Sequence, residues 1–281
     1  MKAIETMNLS HTYPDGTKAI ENINFSVERG KNIAILGPNG AGKSTLLHHF
    51  NGLLMPTSGK VNVLGKEVTK QNLDEIRQKV GLVFQDPDDQ LFARTVALDV
   101  AFGPTNLKLS KAEIEQRVKW ALEVTDLKGL ENKSPSNLSG GQKRRASIAG
   151  VLAMKPEIII LDEPMSNLDP KTSSKVLKLL MELNKELGLT LIIATHDVDL
   201  VPLFADEICI LNKGQILMQG PPQEIFSQAD LLRSVDLRLP RITHLFEILN
   251  KEDRLRGDKQ YPLTIGEARR EILEMMENKK E

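Results

Sequence analysis

Residues 32–45 read NIAILGPNGAGKST. A five-residue apolar run of strand length meets a glycine-rich loop, and KSTLLHHFNGL (43–53) continues with helical spacing until Gly52, Pro56 and Gly59 stop it. Within the loop, Gly37, Gly42, Lys43 and Ser44 fit the phosphate-loop pattern, with Pro38, Asn39, Gly40 and Ala41 as the variable residues and Thr45 following. Glycines let the backbone curl so that successive N–H groups face an anion. Lys43 adds a point charge at the β- and γ-phosphates, and the Ser44 hydroxyl is a Mg²⁺ ligand. The N-terminus of the helix adds its dipole.

Working outward, the apolar runs GLVF (81–84), EIIIL (157–161) and LTLIIAT (189–195) alternate with helical segments, which predicts a mostly parallel α/β sheet. Ahead of the loop, AIETMNL and AIENINFSV flank a turn-forming PDGT (14–17), and VNVLGKEV follows the first helix. These predict a small antiparallel sheet. Residues 90–155 differ in texture. LSKAEIEQRVKWALEVT carries a helical stripe that includes Trp120, with Ser110 and Glu113 as a capping box, and reads as a helical insert between two core strands.

The strand EIIIL ends in Asp162 and Glu163. Downstream of a phosphate loop, Asp162 is placed to hold the metal, and Glu163, facing outward, to orient or deprotonate an attacking water. The next strand ends in ATHD. His196 taken alone is a structural hydrogen-bonder; its place beyond this strand puts it near the γ-phosphate. Gln85, at the end of GLVF, presents an amide to metal or water.

A second cradle needs a separate explanation. LSGGQ (138–142) opens a helix whose apolar face includes Ile148, Val151 and Leu152, so Ser139, Gly140, Gly141 and Gln142 also make an anion-binding N-terminus. The sequence alone leaves open whose anion it binds.

Lys and Arg number 37 against 38 Asp and Glu in 281 residues, so no broad positive field points to nucleic acid. The one cysteine, Cys209, lies in the apolar EICIL and reads as core; it fits a reducing compartment. MKAIETMNLSH lacks the layout of a signal peptide, and no apolar run approaches a membrane span. A cytosolic chain that meets the membrane only through a partner is the expectation.

With these motifs in this order, the sequence resembles the ATP-binding cassette ATPases over about 230 residues. The resemblance implies a P-loop nucleotide-binding fold for 1–230, with a mostly parallel core sheet, an N-terminal antiparallel β subdomain and a helical signature subdomain near 90–155. It implies GPNGAGKST as Walker A, Gln85 as the Q-loop glutamine, LSGGQ as the signature and IIILDE as Walker B. It further implies SNLD (166–169) as the D-loop, His196 as the switch histidine, and ATP with Mg²⁺ as ligands, the metal on Ser44, Gln85 and Asp162. Tyr13, a core aromatic when read alone, matches the residue that stacks on adenine. The signature is implied to close over ATP held by a second ATPase subunit, a copy of this chain or a close paralogue, which accounts for two cradles in one chain.

VFQDPDDQLFART (83–95) is similar to the corresponding region of the energy-coupling-factor importers, notably the cobalt and nickel type. That resemblance implies a transmembrane coupling subunit, a substrate-binding membrane subunit and a place on the cytoplasmic face of the membrane. Motors of vitamin-type or other transporters, and non-transport mechanochemical ATPases, are the competing readings. MSNLDP departs from many members at Met165 and Asn167 but keeps Asp169. Residues 231–281 lie outside the shared core. There TIGEARREILEMMENKK starts with a Thr264/Glu267 capping box and places Ile265, Ala268, Ile272 and Met275 on one face, for packing on its own domain or for a dimer contact.

Overall fold

The computed structural model describes residues 1–251 and 260–278. Its strands are β1 (Lys2–Thr12), β2 (Lys18–Ile23), β3 (Ser26–Glu28), β4 (Asn32–Leu36), β5 (Ser58–Val63) and β6 (Lys66–Glu67), followed by β7 (Val80–Val83), β8 (Ile158–Asp162), β9 (Thr190–Thr195), β10 (Glu207–Asn212) and β11 (Gln215–Gly220). The helices are α1 (Lys43–Phe50), α2 (Leu73–Lys79), α3 (Val96–Asn106), α4 (Lys111–Val124) and α5 (Gly140–Leu152). After them come α6 (Pro170–Leu187), α7 (Pro222–Ser227), α8 (Ala229–Ser234), α9 (Arg241–Lys251) and α10 (Ile265–Asn278).

Strands β1, β2, β3, β5 and β6 form an antiparallel sheet around β1. The expected single strand AIENINFSV is two strands, because the chain is interrupted at Asn24–Phe25, just past a register shift at Asn22 (φ 53°), and the halves pair with different parts of β1. VNVLGKEV is likewise a hairpin, turning at Leu64 and Gly65, both at positive φ. The second sheet runs β11-β10-β4-β9-β8-β7, parallel except for the edge strand β11. Strands β10 and β11 were not expected; the buried Cys209 is part of β10, and burial pushes its thiol up to about 12.

Period two along these strands divides two cores. Ile33, Ile35, Ile158, Ile160, Ile192 and Ala194 point to the side shared with α1 and the antiparallel sheet. Ala34, Leu36, Ile159, Leu161, Leu191 and Ile193 point to the side covered by α5 and α6. A strand buried on both faces must be apolar at every position, which is why these segments read as continuous runs rather than alternations. Each such side chain withdrawn from water contributes roughly 1.5–3 kcal/mol.

Helices α3, α4 and α5 fall between the adjacent parallel strands β7 and β8. Trp120 packs on the core from α4, and Ser110 caps that helix by accepting from the Glu113 amide. Helix α8 and the segment after it are tied to the second core through Leu232, Val235, Leu237 and Leu239. On α10 only part of the apolar face is covered: Ala268 is buried, whereas Ile265 and Ile272 are exposed. Among the described residues no helix is long and apolar enough to cross a membrane.

Candidate functional site

The parallel register puts the C-terminal ends of β4, β9 and β8 side by side, with Leu36 opposite Thr195 and Asp162 opposite Ala194. The loop leaving β4 therefore curls beside the acids leaving β8. Two glycines are needed for its shape. A Cβ on Gly37 would lie 2.2 Å from the Leu211 carbonyl oxygen of β10. Gly42 has φ 101°, and a Cβ there would lie 2.7 Å from the Ala19 oxygen. The Gly214 amide donates to the Ala41 oxygen (3.0 Å), so the β10–β11 turn buttresses the loop from outside.

Lys43 is buried and arches over its own loop, Nζ donating to Gly37 O (2.8 Å) and Pro38 O (3.2 Å). Its ammonium also lies 3.7 Å from Glu163 Oε1. Glu163 does not face outward as expected: it leaves β8 in the left-handed region (φ 46°) while its amide donates to Ala194 O of β9 at 2.9 Å. That turn buries the carboxylate between Lys43 and His196, whose Nδ1 is 3.0 Å from Glu163 Oε1. His196 itself is largely exposed and joins the site through this bond. Asp162 is buried; burial raises its pKa above the ordinary carboxylate range, opposed by a hydrogen bond from the Ser44 hydroxyl.

A cleft of about 630 Å³ spans Asn39 to Thr45 and takes in Tyr13, Gln85, Asp162 and Glu163. Tyr13 OH is 3.0 Å from Thr45 Oγ1, and its ring meets the His11 ring edge to face. The cleft wall also includes Thr17, Lys18, Lys213 and Gly214, which sequence reasoning missed. The turn NKG (212–214) after an apolar run was the available signal. The donor set Ser44 hydroxyl, Asp162 carboxylate and Gln85 amide is entirely oxygen, which fits Mg²⁺.

LSGGQ lies elsewhere. Ser139 is the N-cap of α5 and forms a full capping box with Gln142: Ser139 Oγ accepts from the Gln142 amide (3.3 Å), and Gln142 Oε1 from the Ser139 amide (3.0 Å). Gly141 sits against Thr172 at the start of α6, whose N-cap is Asp169. Gly140, with Leu138, Lys143 and Arg144, lines a separate cleft that includes Ser166, Asn167 and Leu168. Among the described residues, none of 138–142 lines the phosphate-loop cleft. Gln85 borders both.

Comparison with known proteins agrees with this geometry. The ABC transporter family model matches residues 20–166. The energy-coupling factor transporter ATP-binding protein EcfA of Methanocaldococcus jannaschii is 54% identical over 281 residues, covering 99% of this chain and 100% of that protein. The structure of cbiO1 from Clostridium perfringens, part of the ABC transporter complex cbiONQ, is 47% identical with a TM-score of 0.76, covering 88% of this chain and 99% of its own. The ATP-binding cassette MJ0796, solved as a dimer in a post-hydrolysis state with ADP and Pi, is 33% identical with a TM-score of 0.71. It covers 78% of this chain and 98% of its own. The chain is thus an ATP-hydrolysing member of the ABC transporter family, of the energy-coupling-factor type.

Proposed function

We propose that this ATPase pairs head to tail with a second ATPase subunit, so that each ATP is held by the phosphate loop of one chain and the LSGGQ of the other. The observation that carries the reading is the separation of the two cradles into different clefts of one chain. In this scheme the amides of 39–45 and Lys43 hold the phosphates, Tyr13 stacks on the adenine, and Ser139, Gly140, Gly141 and Gln142 close from the partner. Mg²⁺, held by Ser44, Asp162 and Gln85, would neutralise phosphate charge. Glu163 takes the proton of the attacking water, and His196 orients its carboxylate. Closure on ATP and opening after hydrolysis supply the stroke.

The stroke reaches a transmembrane coupling subunit through a groove of about 840 Å³ bordered by α2, β7 and α3, where Phe92 and Phe102 are exposed and meet edge to face. Exposed aromatics on a groove rim are a surface that a partner helix can cover. The chain then sits on the cytoplasmic face of the membrane, and a separate membrane subunit binds the cargo. Similarity of VFQDPDDQLFART to cobalt and nickel importers supports a metal-ion cargo. The exposed Ile265 and Ile272 of α10 offer a further dimer contact.

The test is uptake into vesicles by the complex purified from native membranes. ATP-dependent accumulation of Co²⁺ or Ni²⁺, lost with Lys43→Ala, is expected. Uptake of a vitamin instead would move the cargo, and absence of any membrane subunit would overturn the transport reading.

A further inference from the structure

The helix that follows LSGGQ grips the segment carrying Gln85 at several points. Arg144, near the start of α5, donates from Nη1 to the Phe84 oxygen and from Nη2 to the Gln85 oxygen, each at 2.6 Å. Lys143 Nζ lies 2.6 and 2.9 Å from the two carboxylate oxygens of Asp88. Gln90 donates from Nε2 to the Ser147 oxygen of α5 (2.9 Å) and accepts at Oε1 from the Phe84 amide (3.2 Å). Both backbone groups of Phe84 and the carbonyl of Gln85 are therefore referred to α5. Close packing beneath reinforces the tie, since a Cβ on Gly81 of β7 would lie 2.1 Å from Val151 Cγ1 of α5. A segment held this way moves with the helix.

Stability is a poor explanation for the guanidinium. Arg144 is 2% exposed, and among the described residues its Nε has no hydrogen-bond partner. Burial pushes its pKa below the ordinary value, although Asp86 and Asp162 pull the other way. A buried charge compensated only in part is disfavoured relative to a well-packed apolar side chain of similar size. What arginine alone supplies is a planar fork whose two ends reach consecutive carbonyls at once. Its function is then to fix the register of the Gln85 segment on the signature helix.

We propose that Arg144 is a positioning residue for Gln85, and that through it the signature of one ATP site is coupled to the Gln85 of the other. The second half rests on the head-to-tail reading above. In such a pair, a chain's α5 faces its partner's ATP while its Gln85 borders its own. Movement of α5 as the partner's site fills carries the Phe84 and Gln85 carbonyls with it. The amide of Gln85 changes place at metal and water in the neighbouring site, and the two sites hydrolyse ATP cooperatively.

The test is steady-state hydrolysis of Mg-ATP by the full-length protein with Arg144→Lys, Gln85→Ala and both together. A lysine can reach only one carbonyl at a time. For Arg144→Lys, kcat should fall ~10–100-fold, the usual effect of misplacing a working group by about 1 Å. KM should stay within about 3-fold, the pattern for an interaction made in the transition state. The Hill slope should drop from a wild-type value above one to one. In the Gln85→Ala background Arg144→Lys should cost less than about 2-fold more, because the two act as one unit. Arg144→Met, similar in length but without donors, should match the lysine variant; should it fail to fold, the lysine cycle still decides. Multiplicative losses in the cycle would overturn the positioning role. A Hill slope unchanged by Arg144→Lys, or a wild type without cooperativity, would overturn the coupling. Failure of the head-to-tail reading shows separately, in mixed dimers of Lys43→Ala and Ser139→Arg chains, and leaves the Gln85 cycle intact.

Discussion

His196 and Glu163, at the ends of the neighbouring parallel strands β9 and β8, share a 3.0 Å hydrogen bond between Nδ1 and Oε1. The same carboxylate oxygen is 3.7 Å from Lys43 Nζ, so the phosphate-loop cation and the histidine hold it from two directions. For the base proposed above, a carboxylate fixed this way needs little reorganisation when a water approaches.

Glu163→Gln should therefore bind ATP with near wild-type affinity while hydrolysis falls ~10²–10⁴-fold, the usual worth of a positioned base. That corresponds to roughly 3–5 kcal/mol of barrier. His196→Ala should lower kcat by less, since it removes the orienting group and keeps the carboxylate. Single-turnover hydrolysis beside nucleotide binding measures both. Near-normal turnover of Glu163→Gln would move the base to His196.

Packing makes a second prediction. A Cβ on Gly141 would lie 2.4 Å from Thr172 Cγ2, where the signature helix meets the start of α6. Gly141→Ala should destabilise the chain by about 1–3 kcal/mol, as overpacking usually does. Thr172→Ser removes that methyl and keeps the hydroxyl that donates to Asp169 Oδ2 at 2.5 Å. The double variant should recover most of the loss in a urea titration; equal instability with and without Thr172→Ser would place the strain elsewhere.

Acid should weaken the fold behind the phosphate loop. His49 of α1 is buried, with Nδ1 2.7 Å from the Thr45 oxygen and Nε2 3.2 Å from His11 Nδ1. Burial lowers its pKa from 6.5 to about 4, against the opposing pull of the Thr45 carbonyl. The unfolded chain then binds more protons, so stability present above pH 6.5 is lost as pH falls towards 4. Between pH 7 and pH 5 the loss should be about 2 kcal/mol. His48, whose pKa burial also lowers, adds to the slope in the same direction. Urea titrations at the two pH values should show a flatter slope for His49→Gln than for wild type.

A further prediction concerns the groove. Phe92 is 67% exposed and stacks edge to face on Phe102. Phe92→Ala should leave ATP hydrolysis by the isolated protein within about 2-fold, as an exposed side chain away from the site should. Co-purification with the membrane subunits should fall. Asp88 is less suitable for this test, because its pairing with Lys143 would couple any change to the signature helix. Unchanged co-purification would remove Phe92 from the contact.

The parts of the fold that were legible in the sequence were those where one local pattern had one structural outcome. NIAIL before the glycines, and the doubly buried runs EIIIL and LTLIIAT, fixed three adjacent strands and the acids at their ends. AIENINFSV misled because pattern and propensity do not reveal an interruption at Asn24–Phe25 that sends two halves to different parts of β1. The place of Glu163 was hidden for a similar reason: its left-handed turn is set by the bond to Ala194, a contact remote in sequence. Arg144 stands in the basic run KRR (143–145). Nothing in that run says that one of its arginines lies buried against the carbonyls of Phe84 and Gln85. Lys213 and Gly214, in the turn between β10 and β11, wall the cleft only because β10 lies beside β4 in the sheet; NKG marks the turn but not its neighbour.

The most direct test of the central claim mixes two defective chains. Lys43→Ala disables the phosphate loop and Ser139→Arg blocks the signature, so each pure protein should be nearly inactive. Under head-to-tail pairing, a mixed dimer puts both defects into one site and leaves the other whole. Equal mixing should restore about a quarter of wild-type ATPase activity if the sites act independently, and less if they cooperate. Carrying both substitutions on one chain and pairing it with a wild-type chain places one defect in each site, and that dimer should be inactive. Activity in this last pairing would mean that a chain's signature serves its own phosphate loop, and would contradict the account.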